Sequence, residues 1–142
     1  MYHKLMVENH LLFTKKVYEQ LADRELSSGQ PKILEYLYEH NGSVQKEIAL
    51  ACIIEPATVT SLLYRMEKSG MIERKTQDGN RRSLYVFLTE KGKEEARYVK
   101  KAFNTLSNLA LNNFTNKEKE QFIEYLVRVN KNLKEVSLNF DK

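Results

Sequence analysis

Cysteine is nearly absent: Cys52 stands alone among 142 residues, and there is no tryptophan. One thiol cannot staple its own chain, which excludes a disulfide scaffold and suits a reducing compartment. The three histidines (His3, His10 and His40) are scattered and have no cysteine cluster beside them, so a zinc site is not expected. No stretch approaches the roughly 18 consecutive apolar residues of a membrane span. Lys4 is not followed by a signal-peptide core, because Glu8, Asn9 and His10 interrupt it. These absences predict a cytoplasmic protein with no membrane association. No Gly-rich phosphate loop, metal-ligand spacing or nucleophile–base pair is present either, so neither an enzyme nor a cofactor is expected. Two prolines and five glycines leave room for long helices.

The chain does have apolar material for one core, with 42% hydrophobic and 30% charged residues. Its net charge is +4, and the charge is unevenly placed. Near the start, Lys4, Lys15, Lys16 and Arg24 balance Glu8, Glu19, Asp23 and Glu25. Across residues 71–85, Arg74, Lys75, Arg81 and Arg82 face only Glu73 and Asp78. A basic patch on a nearly neutral body is an electrostatic footprint for a polyanion, although solvated charge runs are also common.

Helix signals organise the sequence. Residues 3–22 carry Leu5, Met6, Leu12, Phe13, Val17 and Leu21 at helical spacing, in a stripe wide enough to need partners on more than one side. Ser27-Ser28-Gly29-Gln30 predicts a capping box. In it the Ser27 hydroxyl accepts from the Gln30 amide and the Gln30 side chain reaches back to the Ser27 N–H. Pro31 follows in the first turn, Ile33, Leu34, Leu37 and Tyr38 form the stripe, and Asn41-Gly42 stops the helix. A short helix over residues 45–52 turns Ile48, Ala49 and Cys52 inward. Glu55-Pro56 opens the next helix, with Val59, Leu62, Leu63 and Met66 on one face and Gly70 at its end. Two strand-like runs follow, residues 71–76 and 83–88, around a Gln77-Asp78-Gly79-Asn80-Arg81-Arg82 turn. A helix pair followed by this hairpin predicts a winged helix-turn-helix. Thr89 starts a helix to about residue 111. Thr115-Asn116-Lys117-Glu118 boxes the start of a last one, which carries Phe122, Ile123, Leu126, Val129 and Leu133 inward. The predicted fold class is mainly α, with a small β-hairpin wing.

Five blocks stand in a familiar order: Leu26-Ser27-Ser28-Gly29-Gln30-Pro31, Gln45-Lys46-Glu47-Ile48-Ala49, Ala57-Thr58-Val59-Thr60, the run from Arg65 to Arg74, and Leu88-Thr89-Glu90-Lys91-Gly92. On these the chain resembles the MarR family of transcriptional regulators. The resemblance implies a single domain over residues 1–142. Residues 27–92 form the winged DNA-binding region, and residues 1–26 and 93–142 form dimerisation helices. It also implies a homodimeric repressor on double-stranded DNA, released by a small-molecule effector, usually a phenolic or other lipophilic anion. Recognition helices about one duplex turn apart would require a pseudo-palindromic operator. Three departures stand out. Asn80 replaces the acid that usually braces the wing arginine, with Asp78 as an alternative brace for Arg82. Ser61 replaces a frequent arginine, and Glu55 replaces a better helix cap.

The candidate DNA-binding residues follow. Thr58, Thr60, Ser61, Tyr64, Arg65 and Lys68 lie on the polar side of the recognition helix, where hydroxyls and guanidinium groups meet bases or phosphates. Pro56 and Ala57 bring its N-terminus close to a phosphate. Arg81 and Arg82 suit a minor groove, unless Asp78 or Glu73 binds them locally. Arg74 is open to either role. Tyr36 and His40 share a helix face at i and i+4 and are candidates for an effector pocket, or simply for packing. Cys52 reads as a small buried hydrophobe. The competing function is a winged module that only dimerises or docks a protein, which an acidic or apolar wing would favour.

Overall fold

The structure, a computed structural model, describes residues 1–77 and 80–138; at residues 77 and 80–82 it describes the backbone alone. The elements are α1 (Tyr2–Gln20), a 3-10 turn (Ala22–Arg24), α2 (Gln30–Glu39), β1 (Ser43–Val44), α3 (Gln45–Cys52), α4 (Pro56–Lys68), β2 (Ile72–Gln77), β3 (Asn80–Leu88), α5 (Glu90–Ala110) and α6 (Asn116–Glu135). They fall into two compact units, residues 1–106 and 107–142.

The first unit holds the core. Ile33, Leu34 and Leu37 of α2, Ile48 of α3, Val59, Leu62, Leu63 and Met66 of α4, Val86 of β3 and Val99 of α5 are almost fully buried together. Val17 and Leu21 join them from the end of α1 and beyond, and Ala96 and Ala102 join from α5. Each such Leu or Ile contributes about 1.5–3 kcal/mol relative to exposure. The i, i+3, i+4, i+7 spacing on α4 therefore fixes which side of that helix faces out.

Three local expectations change. The Gln30 Oε1 does accept from the Ser27 N–H at 3.2 Å, but the Gln30 N–H donates to the Ser27 carbonyl at 3.1 Å instead of the hydroxyl. Only half of the capping box forms. Gly29, at φ +91°, tightens the turn and its N–H donates to Tyr18 Oη at 3.0 Å. The Ser27 hydroxyl is left buried, with no partner among the described residues.

The hairpin is also part of a three-stranded antiparallel sheet, ordered β1-β3-β2. Ser43 pairs with Val86 and Val44 with Tyr85, while Ile72 pairs with Leu88 and Arg74 with Val86. A two-residue strand has no periodicity to detect. Asn41 and Gly42 set it in place, as the Leu88 N–H donates to Asn41 Oδ1 at 2.8 Å and the Gly42 N–H to the Val86 carbonyl at 2.8 Å. Val86 and Leu88 are buried at the hairpin base, whereas Leu84, two residues before Val86, is 43% exposed farther out along the wing.

In the second unit the Thr115 box forms in full. The Thr115 N–H donates to Glu118 Oε1 at 2.8 Å and the Glu118 N–H to Thr115 Oγ1 at 3.1 Å. The apolar stripe of α6 was expected inward, but no residue of that helix is buried within the single chain. Phe122, Ile123 and Leu133 are exposed, as are Leu5, Leu11 and Leu12 of α1 in the first unit. Helical periodicity marks a face that packs; it does not say against which chain.

Candidate nucleic-acid interface

With Val59, Leu62, Leu63 and Met66 sunk in the core, the rest of α4 is presented to solvent. Pro56, Ala57, Thr58, Thr60, Ser61, Tyr64, Arg65 and Lys68 are all exposed. Glu55 caps the helix through its backbone alone, since its side chain makes no cap hydrogen bond. Its carbonyl accepts from the Val59 N–H at 3.0 Å. The positive end of the helix dipole and a first turn without an acidic side chain both favour an approaching anion. At the other end Lys68 Nζ lies 4.9 Å from the Tyr64 ring centroid, a cation–π contact that gathers charge and aromatic surface on one patch.

The hydroxyls are not equivalent. The Thr60 hydroxyl donates to the Pro56 carbonyl at 3.1 Å and accepts from Gln45 Nε2, at the first residue of α3. Gln45 was not among the sequence candidates, because glutamine at a helix start usually belongs to solvent. Arg74 is committed as well: its Nη2 and Nε donate to the two Glu67 oxygens at 3.0 and 3.4 Å. These hydrogen bonds first, helped by the Coulomb attraction of Arg74, hold the Glu67 carboxyl below its ordinary range despite the desolvation that opposes them. Of the two roles open to Arg74, the structure shows the ion pair. The side chains of Asn80, Arg81 and Arg82, and all of Asp78, lie outside the described residues.

The end of α4 is fastened to the start of α5. Lys91 Nζ donates to the Ser69 carbonyl at 2.7 Å, and Thr89 Oγ1 donates to the Gly70 carbonyl at 2.6 Å while accepting from the Gly92 N–H at 3.1 Å. The Thr-Glu-Lys-Gly block after the wing is thus a mechanical joint.

Comparison with known proteins places this architecture. Residues 26–84 match the model of the MarR family. The chain is 30% identical over 111 residues to YwoH, an uncharacterized HTH-type transcriptional regulator of Bacillus subtilis (strain 168), covering 78% of this chain and 80% of YwoH. The chain belongs to the MarR family. YybA, another HTH-type transcriptional regulator of Bacillus subtilis, is 29% identical over 114 residues, 80% of this chain and 76% of YybA. The fold is shared with the S. aureus MepR–DNA complex, at a TM-score of 0.85 and 23% identity over 94% of this chain and 98% of MepR.

This MarR-family chain also has a cleft of about 560 Å³ in its first unit. Tyr36 and His40 line it, stacked with ring centroids 4.7 Å apart, and Phe13 and Phe103 line it at 6.2 Å from one another. Both sequence candidates therefore reach a cavity while also packing on each other. Glu39 is paired with Lys100 at 3.2 Å. Desolvation against the wall, with repulsion from Glu39, pushes the Glu35 carboxyl up, and Lys100 opposes the shift. Cys52 closes one side, buried, its thiol donating to the Lys32 carbonyl at 3.5 Å. Burial raises that thiol to about 11, so it stays protonated and packs as a hydrophobe. His3 and His10 lie on α1. Among the described residues no three His, Cys, Asp or Glu side chains gather as a metal site.

Proposed function

We propose that the chain is a cytoplasmic homodimer that reads a pseudo-palindromic duplex through α4 and represses transcription until a small ligand releases it. The observation that carries this reading is the outward face of α4. It holds uncharged donors in its first two turns and Arg65 and Lys68 in the last, fixed in direction by four buried anchors. Pro56, Ala57, Thr58 and Ser61 take the N-terminal contacts. Tyr64, Arg65 and Lys68 take bases or phosphates farther along, and Arg81 and Arg82 take the adjacent minor groove. That MepR, of the same fold, has been crystallised with DNA supports this assignment. In this reading the protein has no catalytic role.

The exposed apolar faces support the dimer. Leu5, Leu11 and Leu12 on α1, and Ile123, Val127 and Leu133 on α6, are each half exposed or more. Apolar surface on this scale marks an interface. Residues 1–26 and 93–142 would supply that interface and residues 27–92 the reading head. The cleft at Tyr36 and His40 is the proposed ligand site. Occupancy there would act on α5, and α5 is joined to α4 through Lys91 and Thr89.

Selection from a pool of random duplexes, repeated across salt, tests this reading. The expected result is an enriched palindrome with half-site centres about one turn apart, roughly 34–36 Å. Binding that enriches no sequence and vanishes at modest salt would favour the docking module instead.

A further inference from the structure

The hydrogen-bond chain from Gln45 through Thr60 to Pro56 has a polarity. A threonine hydroxyl has one proton, and here it goes to the Pro56 carbonyl. Thr60 Oγ1 then has only lone pairs to offer its other neighbour. Gln45 must meet it with an N–H, as it does. The amide is thereby turned one way. Its carbonyl oxygen Oε1 and its second N–H take no partner among the described residues.

Resting on the DNA-reading role proposed above, we infer that Gln45, oriented by Thr60, reads an adenine in the major groove of each half-site. A carbonyl oxygen without a partner in the chain is repelled by phosphate oxygens and needs a donor. In the major groove the donors are the amino groups of adenine and cytosine. The adjacent free N–H needs an acceptor beside that donor. Adenine offers N7 next to its N6 amino group; cytosine offers only its amino group, and guanine presents two acceptors that would oppose Oε1. Thr60 is then a positioning residue: its hydroxyl is spent on Pro56 and Gln45, and it acts by fixing the amide plane.

The test runs the random-duplex selection in parallel on the wild-type chain and on Gln45→Ala, Thr60→Val and Lys68→Ala. The wild type should enrich adenine at one symmetry-related position per half-site. Gln45→Ala should lose the preference at that position only, and bind the wild-type consensus roughly ten- to a hundredfold more weakly. Thr60→Val, which keeps the side-chain shape, should flatten the same position. Lys68→Ala, outside the Gln45–Thr60 pair, should leave the adenine preference at that position intact. A duplex carrying 7-deazaadenine at that position should bind the wild-type protein more weakly, an arm that does not depend on a variant folding, and should bind Gln45→Ala no more weakly than the unmodified duplex does. An unchanged adenine preference in Gln45→Ala, or an equal loss on every sequence as from a phosphate contact, overturns the base-reading role. A full preference in Thr60→Val overturns the positioning role. A wild-type chain that enriches nothing overturns the DNA-reading proposal itself, so the two failures are distinguishable.

Discussion

Gly92 lies in the first turn of α5, where an alanine would ordinarily strengthen a helix by about 1 kcal/mol. Here the added Cβ would stand 1.9 Å from the Met71 carbonyl oxygen and 3.1 Å from Leu88 Cδ2. The obstacle is backbone, so the chain between α4 and β2 must move by more than an ångström. That same carbonyl accepts the Thr89 N–H at 3.0 Å. Overpacking costs about 1–3 kcal/mol, and disturbing a buried hydrogen bond costs about 1–3 kcal/mol more. After subtracting the helix gain, Gly92→Ala should destabilise by about 3 kcal/mol, or lower the melting temperature by about 10 °C for a chain of this size. Circular dichroism melts at one fixed protomer concentration measure this, since association shifts the transition. Gly70→Ala is the control: φ is +80°, but nothing lies within 4 Å, so only backbone strain of about 1 kcal/mol applies. A Gly92→Ala protein melting within about 2 °C of wild type would refute the claim that the α4–α5 joint is closed against this glycine.

Three further outcomes follow. The Glu67 carboxyl is held below its ordinary value near 4.5, so the Arg74 pair stabilises the fold above that pH and the contribution disappears as the pH falls through the lowered value. Solvent screening limits it to about 1 kcal/mol, and the gap between wild-type and Arg74→Ala melts at pH 7 should close at acid pH; a constant gap would contradict this. With its thiol raised to about 11, Cys52 should react with a disulfide reagent at pH 8 roughly a hundredfold more slowly in the folded chain than in denaturant; equal rates would show an accessible thiolate. If α1 lies in the proposed dimer interface, Leu11→Asp, on an exposed face of that helix, should shift the sedimenting species from dimer to monomer, and an unaltered dimer would place the interface elsewhere.

The middle of the chain was legible because its punctuation is strong. Pro31, Pro56 and Gly70 mark ends that hydrophobic periodicity alone would blur. The outward face of α4 followed directly from the spacing of Val59, Leu62, Leu63 and Met66. Other features depend on distance in space. The partner of Arg74 is Glu67, across the turn from α4 into β2. The third strand exists only because Asn41 and Gly42 present β1 to β3. Gln45 gains meaning only from Thr60, fifteen residues away. The stripe on α6 is apolar as its spacing suggests, but 'inward' there has no meaning within one chain, since none of its residues is buried.

In the proposed function α4 reads sequence and does not merely attract phosphate. The most direct test is a titration of the selected duplex and a scrambled duplex of equal length, by fluorescence anisotropy at several salt concentrations. Both curves should weaken with salt as phosphate contacts release counterions. The selected duplex should bind roughly a thousandfold or more tightly throughout. Equal affinity for the two duplexes at every salt concentration would show that α4 attracts phosphate without reading sequence.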